Sequence, residues 1–546
     1  MNEEMPHQKG GYKVKHLSLR RLSIVATALV VITLALMLAV PRNGTADGLK
    51  PVHVAEEWGP MIRTWEVMQT APLGPAVEAR RQIAFRPTMD KAAYRAAKAR
   101  PGSGPMMTLP ETTAPAVPPP TVVKNYAGVS QTTAGGWLPP NSDGAVGATE
   151  YLQIVNSYLV VYNKSIPVTK QATLAQFFSY TAQPLFDPRV VYDKTWRRWI
   201  VAAVAFPESS AVMKMFVGIS KTSSAAGSFY IYSFNAVVNS GDFFDFPMVG
   251  YDQDAIFVTA NIFDAADNFV CARMYYVSKA KVYNGQTANW LFFNNLSGTL
   301  AAPIVLDQDV DTWFAAPQVK ATSANSLIKL YRFANLSRAN FASVASFDLP
   351  VSGGFAIPPS APQTGGEPLD TIDCRFANVS TQMSTAGGRY SLFNVHCISH
   401  LGHAVNRWYE INVTNPSAPT IRQQGTFQAT STSHDFNPHI ATNNNGDCFV
   451  VWSATDSANG KNAMVYFGGR RASATLNTMG VNATPLFTSA AWYDDERGEA
   501  FNRWGDYSAV TIDPGNSLQA WLTNEIITGT SSPSTEWGTQ IGVVKY

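Results

Sequence analysis

The residues best placed for chemistry are acidic and basic side chains at the edges of short apolar runs. Arg503 precedes Asp506 by three positions in RWGDYSAVTIDPGN (503–516). Asp143, Asp187 and Asp245 stand in comparable places, with Glu410 and Glu525 as further carboxylates. Two carboxylates facing one another across a cavity perform glycosidase-type acid–base work, which makes Asp187, Asp506 and Arg503 the candidate catalytic set. The competing role is structural, because an Asp at a strand start commonly accepts from backbone amides. For Asp506, pairing with Arg503 or with neighbouring backbone outweighs catalysis.

Other clusters are less complete. VHCISHLGH (395–403) brings His396, His400 and His403 within nine residues, imidazoles of the kind that bind zinc or copper. They fall at a strand end and in the following loop, so the helical one-turn spacing is missing, and a polar loop with one buried strand histidine accounts for them as well. DQDVD (307–311) alternates carboxylates like a calcium loop but lacks its glycine and distal glutamate. Cys374 and Cys397 flank TAGG (385–388) almost symmetrically, which allows a cross-strand disulfide; Cys271 and Cys448 read as buried apolar residues. No phosphate loop, HExxH, CxxCH or GxSxG motif occurs, so the sequence implies no cofactor and no resident metal.

These residues need a scaffold, and the chain from Pro139 onward supplies one made of strands. A Pro- or Gly-marked start, a short strand, a polar turn and an aromatic, Val-rich strand recur at 142–157, 187–205, 246–261, 303–319, 375–397, 437–454 and 506–524. The turn centres lie a mean of about 61 residues apart, the period of a four-stranded propeller blade. The expected fold is all-β, a seven-bladed β-propeller over residues 121–546. After 506–524 only one further strand remains before the chain stops, so TVVKNYAGVS (121–130) is expected to add the missing outer strand and close the ring.

Ahead of the propeller, Leu22 to Val40 is 19 residues without a charge, about 28 Å of helix and enough to cross a bilayer. Leu22, Val30, Leu36 and Val40 mark this expected anchor (22–40). The basic tail 1–21 carries Lys9, Lys13, Lys15, Arg20 and Arg21, which places the N-terminus in the cytoplasm and the rest outside, at the inner membrane of a bacterium. An uncleaved or cleaved signal segment is the other reading. Residues 41–120 read as an extracytoplasmic, Pro-rich linker with short helices at 56–69 and 88–99, in which Trp58 and Trp65 stand out as partner-binding anchors. With a net charge of +2 and no basic run after the anchor, nucleic acid is not an expected partner.

The phrases PPNSDGAVGATEYLQIVN (139–156), LFDPRVVYDKTWRRWIV (185–201), FPMVGYDQDAIFVTAN (246–261), NRWYEI (406–411) and RWGDYSAVTIDP (503–514) resemble a group of uncharacterised bacterial secreted or envelope β-propeller proteins. That resemblance implies a propeller outside the cytoplasm and no particular reaction. The architecture is more distantly similar to sialidase-type propellers, whose arginine triad would fall at Arg189, Arg375 and Arg503; their Asp-box turns are missing here. The expected role is a structural, protein-binding scaffold, an accessory subunit beside other membrane-protein subunits. The alternative is an envelope glycan hydrolase or lyase that uses carboxylates in the channel.

Overall fold

The computed structural model describes Met1 and residues 49–74, 82–99, 117–307, 311–319, 326–336, 342–385 and 387–546. The expected anchor at Leu22–Val40 lies outside them. Among the described residues no helix is long and apolar enough to cross a membrane. The architecture is an all-β propeller, 51% strand and 6% helix.

Local chemistry explains the hairpins that line the hub. Four of the inner turns are tied by a side chain that accepts from amides two to four residues ahead. Asp193 Oδ1 takes the amides of Thr195 and Trp196, Asp252 Oδ1 those of Asp254 and Ala255, Asn443 Oδ1 those of Asn445 and Asp447, and Asp513 Oδ1 that of Gly515. This is the short-range bond for which Asp and Asn are favoured in turns. On either side lie runs such as Leu185–Asp193 and Arg198–Ala205, buried on both faces, so the apolar alternation of a one-sided strand is lost.

The inner strands form a closed circuit. Asp143–Val146 lies against Leu185–Asp193, and that strand against Phe243–Tyr251. Phe243–Tyr251 pairs in parallel with the short strand Pro303–Val305, which pairs in parallel with Ser380–Ser384. Ser380–Ser384 meets His434–Thr442, which meets Ala509–Asp513, which returns to Asp143–Val146. Among the described residues this makes five blade sheets of four or more strands, not seven. The largest has ten strands, because Pro303–Val305 welds two antiparallel runs into one sheet. The overcount has a physical cause. The repeat at 303–319 carries the same turn and strand signals as the others, yet its second half, Asp311–Gln318, pairs with Leu327–Ala334, which pairs in turn with Ser343–Pro350, as a separate three-stranded sheet.

The ring closes as expected. Thr121–Ser130 pairs antiparallel with the last strand, Trp537–Lys545, and supplies the outer strand of the final sheet. The described residues of the expected linker, 49–74, 82–99 and 117–120, are also part of the fold. Glu57–Arg63, expected as helix, adds an edge strand beside Phe229–Asn235, and Val52–His53 adds one beside Leu291–Leu296. The helix Trp65–Thr70 then buries Trp65 and Met68 between the first two sheets, with Leu152, Phe177 and Trp199. A second helix, Lys91–Lys98, falls within the expected 88–99 and is capped by Asp90.

Candidate functional site

The inner strands run in one direction and nearly in register, which stacks equivalent residues into rings. Asp506 N donates to Asn141 Oδ1 and Val146 N to Thr511 Oγ1, the same offset at two levels. The residue entering each ring is bent out of ordinary strand geometry. Asn141, Asp187, Phe246 and Asn437 have φ of 47°, 47°, 54° and 49°, and in the last three a proline follows within a β-bulge. Asn and Asp tolerate this left-handed region; Phe246 holds it at a cost of about 1–3 kcal/mol. Bulges re-aim side chains, and here the effect is to gather charge at the end of the hub where the strands begin.

At that end Arg503 Nη2 donates to Asp506 Oδ2 at 2.7 Å, with Nη1 2.6 Å from Oδ1. The side-chain amide of Asn141 donates both to Asp506 Oδ2 at 3.1 Å and to Asp187 Oδ1 at 2.5 Å, so one nitrogen bridges two carboxylates. Burial, followed by the charges of Asp245 and Asp506, pushes the Asp187 carboxyl up to about 7. Burial also raises Asp245, against the opposing charges of Arg86 and Arg375. Arg375 pairs with Asp373 through Nε at 2.7 Å and Nη2 at 2.9 Å. Burial opposes ionisation of Asp373, but Arg375 holds its carboxyl below the usual range.

The chain's own residues 82–98 cover this cluster as a strap. Ile83 N donates to Leu138 O, and Arg503 Nε donates to Ile83 O at 3.3 Å. The Phe85 ring lies 4.5 Å from the Arg375 guanidinium and 5.5 Å from that of Arg503. Arg86 binds Asp267 at 2.8 Å and approaches Asp245 at 3.8 Å, while its carbonyl accepts from Arg375. The helix end is pinned too, with Tyr94 Oη donating to Asp370 at 2.7 Å and Lys98 Nζ to Thr371 Oγ1 at 2.5 Å. Asp187, Arg503 and Asp506 are 1%, 2% and 3% exposed. The candidate catalytic residues are therefore brought together, Arg503 paired with Asp506 and Asp187 joined to them through Asn141, and sealed from water.

Arg189 separates this end from an open channel. Its Nε donates to Pro247 O at 2.8 Å, Nη1 to Asn378 Oδ1 at 3.2 Å and Nη2 to Ala377 O at 3.1 Å. The side chain thus spans from its own strand to Phe243–Tyr251 and to the chain just ahead of Ser380–Ser384. Of the three arginines at triad positions, Arg189 is this brace, and Arg375 and Arg503 are held in ion pairs beneath the strap. Beyond Arg189 lies a channel of about 260 Å3 with aliphatic walls and Asp143 and His439 near its floor. Burial, opposed by Arg189, raises the Asp143 carboxyl to about 6. Burial lowers His439 to about 3, keeping it neutral.

The remaining candidates disperse. His396 is a buried strand histidine held by Cys374 O at 2.7 Å and Tyr409 Oη at 2.9 Å. His400 and His403 face one another across the hairpin turn, and His403 turns to Ser433 O and stacks on His434. Among the described residues no group of three His, Cys, Asp or Glu is arranged to hold a metal ion. Asp307 binds the amide and hydroxyl of Ser384; residues 308–310 of the calcium-like stretch lie outside the described residues. Cys374 and Cys397 are both free thiols, donating to Ala356 O and Asp435 O. No disulfide joins them, because Cys374 precedes the strand Ser380–Ser384 instead of lying on it. Glu410 pairs with Arg389 and Arg422 away from the hub. Glu525 reaches the hub and accepts from Gly505 N. Trp65 is buried and donates to Ala225 O, so it anchors the chain to itself and not to a partner; Trp58 remains 42% exposed. Sequence reasoning missed Asn141 and the strap residues Phe85, Arg86, Tyr94 and Lys98.

No protein-family model matches this chain, and no curated protein sequence matches it. Its fold has distant structural similarity to sialidase-like propellers. A subtype N10 neuraminidase-like protein of A/little yellow-shouldered bat/Guatemala/060/2010 superposes at a TM-score of 0.34 and 11% identity, over 65% of this chain and 99% of that one. Trypanosoma rangeli sialidase gives a TM-score of 0.33 at 9% identity, over 70% and 55%. An exo-β-1,3-galactanase of Clostridium thermocellum gives 0.30 at 8% identity, over 77% and 100%. Likeness at this level speaks to the fold alone.

Proposed function

We propose that the chain is a membrane-anchored, extracytoplasmic scaffold, an accessory subunit that binds other membrane-protein subunits. The observation that carries this reading is an apolar surface on residues 52–73. Val52, Trp58, Met61, Ile62, Val67 and Leu73 are 40% to 70% exposed within 22 residues, on an edge strand, the helix after it and the chain beside them. An exposed edge strand with large apolar side chains is a liability unless a partner covers it. In the sequence the segment also comes soon after the expected anchor at Leu22–Val40.

The rival, a glycan hydrolase or lyase, needs two water-accessible carboxylates about 5–10 Å apart. Asp187 and Asp506 share one donor, the side-chain amide of Asn141, but the strap seals them. Asp143 and Asp513 line the channel, and the strand register sets them about 17 Å apart along the axis. Asp513 is also bound through both oxygens to Lys164.

Gentle-detergent purification of the full-length chain from its native membrane, with mass identification of what accompanies it, tests the reading. Stoichiometric recovery of integral membrane subunits is expected. A lone chain that cleaves members of a glycan panel would replace the scaffold with the hydrolase.

A further inference from the structure

The channel above Arg189 is large for the interior of a well-packed protein. Folded cores leave few voids bigger than a water molecule, because an unfilled space forfeits dispersion contacts on every wall. This one holds about 260 Å3. An apolar cavity of about 150 Å3 stays dry and accepts benzene, so the channel has room for roughly a fused bicyclic ring.

Its walls and floor set the chemistry of an occupant. Val146, Val191, Val249, Leu306, Val379 and Ile512 face it from the inner strands around the ring. The polar groups at the floor are already engaged. Arg189 makes its three hydrogen bonds, and Asp143 accepts from Gly144 N at 2.8 Å and Val190 N at 3.1 Å. His439 Nδ1 accepts from Val510 N at 3.0 Å. The floor therefore offers little to a polar group entering deep, and the interior favours an apolar body.

The mouth differs. Lys194, in the turn after Leu185–Asp193, extends its amine to Asn444 Oδ1 at 2.5 Å. Asn444 belongs to the turn after His434–Thr442, on the opposite side of the ring of inner strands. The amine thus crosses the opening and rests on a neutral acceptor. The other charged residue at the mouth, Asp513, is neutralised by Lys164. Burial lowers the Lys194 amine, with Asp307 opposing that shift. A carboxylate placed there would turn the ammonium's bond to a neutral amide oxygen into an ion pair.

We propose that the channel binds a small amphipathic carboxylate, its apolar body seated between the inner strands and its head group on Lys194. This stands apart from the scaffold reading, since it uses the axis of the ring and not its outer edge.

The test uses the full-length chain and two fluorescent probes of matched body, 2-naphthoate and the neutral 2-naphthalenemethanol, in equilibrium titrations. Both should bind saturably at one site, 2-naphthoate more tightly. Lys194→Gln should weaken 2-naphthoate about tenfold and leave the alcohol within about twofold. Val379→Trp and Ile512→Phe fill the channel from different sheets. Whichever retains the unfolding transition of the unmodified chain should lose both probes, which separates channel binding from partition into detergent or lipid. Absence of saturable binding overturns the proposal. So does unchanged binding in a folded channel-filling variant, or an equal loss of both probes in Lys194→Gln.

Discussion

The guanidinium carbon of Arg189 lies 3.3 Å from the centre of the Tyr507 ring, and the Tyr507 hydroxyl in turn donates to Pro188 O. The two residues come from different sheets and lock each other across the hub. Arg189 adds bonds to the strand Phe243–Tyr251 and to Ala377 and Asn378 just ahead of Ser380–Ser384, so this one side chain ties together three parts of the ring. Lysine in its place keeps the charge but cannot fork to three acceptors. Arg189→Lys should therefore lower stability by about 2–4 kcal/mol, the cost of leaving buried carbonyls without donors. Chemical denaturation of the two chains checks this, and a difference within about 0.5 kcal/mol would show that the brace is dispensable.

Closure of the ring predicts a second effect. Thr121–Ser130 and Trp537–Lys545 pair over nearly their whole length although more than 400 residues of chain separate them. Deleting 121–130 leaves the last sheet with three strands and an exposed edge. The melting temperature should drop sharply, and moving the same ten residues to follow Tyr546 should restore much of it. An unchanged transition on deletion would show that the strand decorates the ring without closing it.

The hub carboxylates give stability a pH dependence of definite sign. Asp187 is held up to about 7 when folded and titrates near 3.9 when unfolded. Between those values the folded chain keeps a proton that the unfolded chain has lost. Its contribution is thus complete at low pH and fades as pH rises through about 7, by at most about 1.4 kcal/mol per pH unit. Asp187→Asn removes the titration. The stability gap between the natural chain and Asp187→Asn should shift by about 1–3 kcal/mol between pH 5 and pH 8, in favour of the natural chain at pH 5. Equal gaps at the two pH values would contradict the assignment.

How much of this was legible in the sequence follows from how local each signal is. The hairpins were readable because their turns are fixed by neighbours, as Asp193 binds Thr195 and Trp196. The closing strand was readable because the last sheet visibly lacked a partner. The blade count was not, since Pro303–Val305 and Asp311–Gln318 carry the same local pattern as an inner hairpin while pairing with different sheets. The strap escaped because its partners are remote: Arg503 meets Ile83 across 420 positions. Nothing near Phe85 announces the two buried arginines it covers. The pairing of Arg503 with Asp506 was one of the two structural roles its sequence position allowed; that the pair lies under cover was not legible.

The two tryptophans expected as partner anchors separate folding from binding, and they yield the last prediction. Trp65 fills the space between the first two sheets and donates to Ala225 O at 3.1 Å, so Trp65→Ala leaves both a cavity and an unpaired carbonyl. Losses of about 3–5 kcal/mol are usual for such a change. Trp58 packs only its face, with Lys214 Nζ 4.7 Å above the ring, and leaves the rest in solvent. Trp58→Ala should cost about 1 kcal/mol or less, in keeping with an exposed cation–π contact. If a partner covers residues 52–73, Trp58→Ala should nevertheless reduce co-purifying subunits severalfold, because exposed tryptophans are common binding hot spots. Parallel denaturation and pull-down of the two variants decides the matter. Full partner recovery with Trp58→Ala, at unchanged stability, would remove this edge strand from the interface.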